Sequence, residues 1–457
     1  MHTALPFVKT AKKPTPLHVF APAAFEKWLK KQAKETQNWF KINGFTGATG
    51  RCTLFQTGSD IAAVAVVGES TNPYVYSFLA NALPEGFYKL ANKLSAKAEA
   101  ALHLGWGLES YTFIKYKKSN RKTPKLVTTL GKEIKLKLDA TFLVRDLINT
   151  PTADMGTENL AKAAKSLATT YKAKFKTVVG KDLLKKNFPA IYAVGKGGSQ
   201  APRYVEFTWG KPSHPKVTLV GKGIVFDTGG LNIKPSNLMK IMKKDMGGAA
   251  IVLGLAKLIM GSKLPVRLKV IIGAAENSID AVSMRPKDVV PTRKGTTIEI
   301  NHTDAEGRVV LADCLWEASK DNPALIMDFA TLTGAARVGL GTEIATFLTN
   351  DPKTFHPALL KASEATHDQT WPLPLHENYR RFINSQMADL SNEPTSRYGG
   401  TISAALFLRE FVKPNIPWVH FDIMAYNALS LPGRPKGGEP QGMSAAFEML
   451  CQKFGKK

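Results

Sequence analysis

Cysteine is scarce in this chain. The 457 residues hold three, Cys52, Cys314 and Cys451, too few and too scattered for a disulfide framework or a thiolate metal site. They fit a reducing cytosol. Long apolar runs are missing as well: IAAVAVVG at 61–68 has the length of a strand, well short of the roughly 18 residues a membrane-spanning helix needs. The opening stretch, MHTALPFVKTAKKPTP, lacks the apolar core of a secretory signal. These absences lead us to expect a soluble, cytoplasmic protein with no membrane partner. Familiar signatures are missing too. There is no GxxxxGK[ST] or GxGxxG for phosphates, no HExxH for zinc and no GxSxG elbow for a serine nucleophile.

Acid is also in short supply. Lys and Arg number 62 against 37 Asp and Glu, a formal net charge of +25. The excess is uneven, with 21 basic and 9 acidic residues in 1–140. It is densest at 115–137, KYKKSNRKTPKLVTTLGKEIKLK, which has nine basic residues and one acid. Such a run is either a solvated face or a phosphate-binding surface, so nucleic-acid binding stands as the alternative function.

The apolar pattern implies an α/β protein. In 1–135, the strand-like pieces GRCTLFQTG, IAAVAVVG and SYTFIKYK surround a helical stretch, PEGFYKLANKLSAKAEAALHLGW. This predicts a small, basic N-terminal α/β domain. DATFLVRDLINTP is a helical pattern stopped by Pro151, and 136–150 is expected to be a connecting helix. In 151–457, strand-like pieces (KFKTVVG, AIYAVGKGG, RYVEFTWG, KVTLVGKGIVF, RLKVIIGAAE, ALIMDFA, WVHFDIMA) alternate with helical ones. Continuous apolar strands of this kind predict a central, mostly parallel sheet covered by helices on both faces, as the larger catalytic domain.

In such sheets sites form beyond the carboxyl ends of strands, and three strand ends gather polar residues. LVGKGIVFDTGGLNIKPS places Lys222, Asp227 and Lys234 among glycines, and MKKDMGGAA puts Asp245 at the mouth of a small-residue helix. NHTDAEGR carries Asp304, Glu306 and Arg308 at alternate positions, which share a face if the segment is extended. Taken alone, the last run reads as a solvated strand edge with a local ion pair. Taken together, four carboxylates in a partly buried cleft need counter-charge to stay ionised. Two divalent cations would supply it and make a hydrolytic site.

These same stretches carry a resemblance. NHTDAEGR is similar to the Asn-Thr-Asp-Ala-Glu-Gly-Arg signature of the leucine aminopeptidase family of two-metal cytosolic enzymes. VGKGIVFDTGGLNIKPS, MKKDMGGAA, GAAEN, DFATLTGAARVGLG and GGTISAALFLREFV match that family in order and spacing, from about residue 140 to the end. The resemblance implies a homohexameric aminopeptidase of a bacterial subgroup. It would release leucine and other apolar residues from peptides through a metal-bridging hydroxide. It implies two divalent ions per subunit, Mn2+, Zn2+ or Mg2+, bridged by Asp227 and Glu306. Lys222 and Asp245 would complete one site and Asp304 the other. Lys234 would donate to the oxyanion, and Arg308 would anchor a bicarbonate that relays the proton. Thr331, Leu332 and Gly334 would meet the substrate backbone and first side chain, with Met242 lining an apolar pocket. His302 departs from the pattern, standing where the family has Asn.

Overall fold

The computed structural model describes residues 1–68 and 70–455. Its contacts divide the chain into two units: Met1–Phe142 with Ala428–Lys436, and Leu143–Asn427 with Gly437–Lys457.

The first unit holds β1 (Phe7–Val8), β2 (Thr15–Phe20), β3 (Arg51–Thr57), β4 (Asp60–Val66), β5 (Phe87–Leu90) and β6 (Lys125–Val127). They form one sheet in the order β1-β6-β5-β2-β4-β3. Two expectations change here. PEGFYKLANKLSAKAEAALHLGW is a strand followed by a helix, β5 and then Ala96–Glu109, because alternation along FYKL buries Tyr88 in the core that contains Trp106. SYTFIKYK is not a strand of the sheet. It keeps a single bridge, His2 to Phe113, and backbone bonds to Met1 and Thr3. Four of the nine basic residues in the 115–137 run pair with near neighbours. Arg121 meets Glu109, Lys122 meets Glu85, Lys135 meets Asp139 and Lys137 meets Glu133.

The second unit is built on an eight-stranded sheet. Its strands are β7 (Lys174–Val179), β8 (Arg203–Trp209), β9 (Lys216–Asp227), β10 (Arg267–Asn277), β13 (Leu325–Ala330), β14 (Ala345–Thr349), β15 (Thr370–Pro372) and β17 (Trp418–Asp422). A three-stranded sheet takes β11 (Val289–Pro291), β12 (Thr297–Glu299) and β16 (Leu390–Ser391). The large sheet runs β15-β14-β17-β13-β9-β10-β8-β7. Its four central strands, β17, β13, β9 and β10, are parallel, and antiparallel pairings occur only towards the edges. The carboxyl ends of all four central strands therefore open on one side.

Helices cover both faces of β9. Successive strand residues point to opposite sides. A Cβ on Gly221 would press on Ala249 and Val252 of the helix Gly247–Gly261, whereas the Lys222 side chain runs against Gly307 of the helix Glu306–Ser319. Two glycines permit this closeness. A Cβ at Gly248 would fall 2.0 Å from the Phe329 carbonyl, and one at Gly307 would fall 2.5 Å from Lys222 Cε. AIYAVGKGG, expected as a strand, is the helix Pro189–Gly195. Its first turn is capped from afar, since the buried Asp313 carboxylate accepts from Ala190 N and Ile191 N. No helix among the described residues is long and apolar enough to cross a membrane.

Candidate metal centre and active site

The site assembles where β9, β10, β13 and β17 end. In β9 the last residue is Asp227, paired with Asn277 across a register irregularity in β10. That irregularity turns the two side chains toward each other. Asn277 Nδ2 donates to Asp227 Oδ1 at 2.7 Å and to the Thr303 carbonyl at 3.1 Å, and Gly229 N also donates to Asp227 Oδ1.

Asp304, Glu306 and Arg308 do not lie on one extended strand, as the alternate spacing had suggested. β12 stops at Glu299, Asn301–Ala305 forms a turn, and Glu306 is the first residue of the helix Glu306–Ser319. The three charges are brought to the site by a turn feeding a helix. Thr303 fixes that turn by donating to the Gly229 carbonyl at 2.6 Å. Asn392 fixes it from the other side. Its Oδ1 accepts from Asn301 N and His302 N, its Nδ2 donates to the His302 carbonyl, and its own carbonyl accepts from Arg308 Nη1 at 2.8 Å. His302 Nδ1 in turn accepts from Asp304 N at 3.2 Å.

Two lysines divide the carboxylates between them. Lys222 Nζ lies 2.8 Å from Asp245 Oδ2 and 3.0 Å from Glu306 Oε1, and it donates to the Thr331 carbonyl at 3.1 Å. Lys234 Nζ lies 2.8 Å from Asp227 Oδ2 and also pairs with Asp304. Thr331 Oγ1 donates to Asp245 Oδ1 at 2.6 Å. The segment from Leu332 to Thr333 is pinned from β17, where Asp422 Oδ1 accepts from both backbone N–H groups. Of the residues singled out in the sequence, Lys222, Asp227, Asp245, Asp304, Glu306, Lys234 and Thr331 form one connected cluster. Leu332 and Gly334 continue from Thr331, Met242 is buried three residues before Asp245, and Arg308 lies two residues beyond Glu306. Asn392 and Asp422, which hold these pieces, gave no local signal in the sequence.

The electrostatics are those of a crowded acidic site. Burial, together with the neighbouring Asp227 charge, pushes the Asp304 carboxyl up to about 7. The same causes, with Asp245 added, push Glu306 up to about 8. Burial opposes charge on Lys222, but Asp245, Glu306 and Asp227 more than offset it and raise its pKa. Asp245 is lowered, since Lys222 and Lys244 outweigh its burial. Burial brings Arg308 down to about 10.

Divalent cations fit this donor set. Oxygen atoms of Asp227, Asp245 and Glu306 all lie within 4.8 Å of one another. Among the described residues Glu306 Oε2 is buried without a hydrogen-bond partner, as is Arg308 Nε. Hard carboxylate oxygens with one amine nearby suit manganese, zinc or magnesium.

Residues 142–447 match the model of the cytosol aminopeptidase family, catalytic domain, and residues 15–129 that of the M17 aminopeptidase N-terminal domain. A probable cytosol aminopeptidase of Syntrophotalea carbinolica is 34% identical over 448 residues, 89% of this chain and 90% of the relative. One of Persephonella marina is 40% identical over 72% of this chain and 69% of its own. Among solved structures, the cytosol aminopeptidase of Coxiella burnetii superposes with a TM-score of 0.94 at 44% identity, covering 98% of this chain and 99% of that one. The bottromycin maturation enzyme BotP in complex with Mn gives 0.86 at 31% identity, covering 97% of this chain and all of that one. The chain belongs to the cytosol aminopeptidase family and is a peptide-bond hydrolase of that class.

Proposed function

We propose that this enzyme removes leucine and other apolar residues from the free amino terminus of peptides. In this reading Asp227 and Glu306 would be shared by two divalent ions, with Lys222 and Asp245 completing the hold on one and Asp304 on the other. The observation that carries it is the largely buried, two-lysine, four-carboxylate cluster, with Glu306 Oε2 left without a partner among the described residues. When bound, the ions supply an acidified water and a hold on the substrate α-amine, and a bicarbonate beside Arg308 supplies a proton acceptor.

The chain's own residues do the rest. Lys234 carries its ammonium at the carboxylate cluster, where burial opposes its charge but four nearby acids more than offset it. It is the donor for the developing oxyanion. Arg308, anchored through Nη1 to the Asn392 carbonyl, presents the buried Nε as an unsatisfied donor toward an anion. Thr331, Leu332 and Gly334 offer a strand end along which the peptide backbone and the first side chain lie, and Met242 gives that side chain an apolar wall. Lys222 must act as a neutral amine to bind metal, which from its ordinary pKa of ~10.4 costs roughly 4–5 kcal/mol at pH 7. Only a neighbouring dication favours that form enough.

The residues of the site described above fall between 222 and 422. This supports a division in which 151–457 catalyse, 136–150 connect and the basic 1–135 lie outside the chemistry. A homohexamer in the cytoplasm completes the reading. Neither the family match nor the relatives support the nucleic-acid alternative.

The test is hydrolysis of Leu-anilide and of a free and an N-acetylated leucyl peptide, before and after chelation. Activity should vanish with chelator, return with manganese or zinc, and be confined to free amino termini. Comparable turnover of the acetylated peptide would rule the exopeptidase reading out.

A further inference from the structure

Arg337 is a cation at this site that pairs with no acid among the described residues. It lies on the helix Gly334–Leu340, which begins four residues after β13 ends. Its guanidinium lies over the first residue of that helix: a Cβ on Gly334 would be 3.4 Å from Arg337 Nη2. Nη1 points to Met424, two residues past the end of β17, with 3.0 Å to Sδ. Its charge also reaches Lys244, the neighbour of Asp245. The guanidinium is thus held where β13 and β17 both end, on the side of the cluster bounded by the Thr331–Gly334 segment.

Among the described residues Arg337 makes no ion pair with a carboxylate, and a thioether is its hydrogen-bond partner. Thioether sulfur is a weak acceptor. A half-buried guanidinium next to an apolar sulfur has lost part of its hydration and gained little in return. Its planar fork suits a carboxylate, which it can hold through two parallel charge-assisted bonds. Surface arginines without partners are common because water serves them. Arg337 differs in being partly enclosed, in contact with a methionine, and next to the segment that carries Thr331, the partner of Asp245.

We propose that Arg337 recognises a carboxylate on the first side chain of the substrate, so that the enzyme accepts amino-terminal glutamate in addition to apolar residues. This rests on the aminopeptidase reading above, in which the first side chain lies along Gly334 and Met242. The buried thioethers of Met242 and Met424 receive the methylene stem, common to leucine-like and glutamyl side chains. Arg337 receives what only the acidic side chain carries. Neutral glutamine has the same shape as glutamate and isolates the charge.

The experiment uses the full chain loaded with manganese and the anilides of leucine, glutamine and glutamate. Anilides carry no terminal carboxylate, so binding of a dipeptide's own C-terminus cannot mimic the effect. Wild-type kcat/KM for glutamate should exceed that for glutamine by about 10- to 100-fold, the range for a hydrogen-bonded charge. Arg337→Met should collapse that ratio to about one or below, and Arg337→Lys should restore part of it. Glutamine equal to or better than glutamate in the wild type overturns the proposal. So does an Arg337→Met variant that slows all three substrates by the same factor, since that is a structural role. Hydrolysis of the leucine anilide without discrimination between the other two strikes Arg337 alone. Hydrolysis of none, with metal bound, strikes the aminopeptidase reading and this proposal with it.

Discussion

The Lys222 ammonium lies 2.8 Å from the Asp245 carboxylate with both side chains buried, so the proton on Lys222 competes directly with a cation for the same oxygen atoms. Before a divalent ion binds, burial and neighbouring acids hold Glu306 up to about 8 and Asp304 up to about 7, and acidic neighbours hold Lys222 above its usual value. Metal must displace these protons, so uptake releases protons and affinity rises with pH. Between pH 6 and 8, the manganese binding constant should climb by at least about one decade per pH unit, which corresponds to one or more protons released. Calorimetric titration in buffers of different ionisation enthalpy would count them. A binding constant that stayed flat over this range would contradict the competition.

The two lysines separate by what each touches. Lys222 meets Asp245 and Glu306, and Lys234 meets Asp227 and Asp304. Lys222→Ala should lose metal on dialysis if, as proposed, it removes a ligand. Lys234→Ala should hold metal near the normal amount while kcat falls about 10²–10³-fold, the effect of one oxyanion donor. Metal analysis beside steady-state kinetics decides the matter, and the reverse pattern would exchange the two roles. Glu306→Ala should disturb both ions. Two tightly held ions per chain in that variant would remove Glu306 from the bridging position.

Much of this site could be read in the sequence because its residues come in short polar runs at the ends of apolar strands. Lys222 and Asp227 lie within one strand, and Asp304 to Arg308 at one junction of a turn with a helix. Once the strands are parallel, their ends must meet. What the sequence concealed was held by distant partners. The helix at Pro189 depends on Asp313, more than a hundred residues away, and local alternation had suggested a strand there. The alternate spacing of Asp304, Glu306 and Arg308 suggested an extended face, yet Glu306 opens a helix. The turn that makes the arrangement possible is fastened by Asn392, about ninety residues on.

Asn392 provides a third prediction. Its amide ties down the backbone of Asn301 and His302, and its carbonyl holds Arg308. The turn so fixed carries Asp304. Removing the amide with Asn392→Ala should free the turn without deleting a ligand. Groups that orient ligands typically account for 10–100-fold in metal affinity or activity. We expect manganese affinity to fall by about that factor and activity to recover substantially at high metal. A loss of activity that saturating metal did not relieve would show that Asn392 acts through Arg308 instead.

The last prediction lies beneath the site. Asp328 in β13 is fully buried and accepts from Trp418 Nε1 at 2.6 Å, with His420 Nδ1 also 2.6 Å away on the neighbouring strand β17. Burial would lower the His420 pKa, but the Asp328 charge outweighs it and the net shift is upward. A folded pKa above the unfolded value of about 6.5 fixes the sign. The charged pair contributes its full stability below that value and loses it as pH rises through the folded pKa. Asp328→Asn keeps the shape but removes the charge, and should destabilise the protein by about 1–3 kcal/mol near pH 6. The difference from wild type should then shrink as pH rises to 9. Denaturation midpoints measured with chelator present at every pH exclude any contribution from metal binding. A gap that widened with pH would mean that His420 is neutral in the fold and that Asp328 serves Trp418 as its main partner.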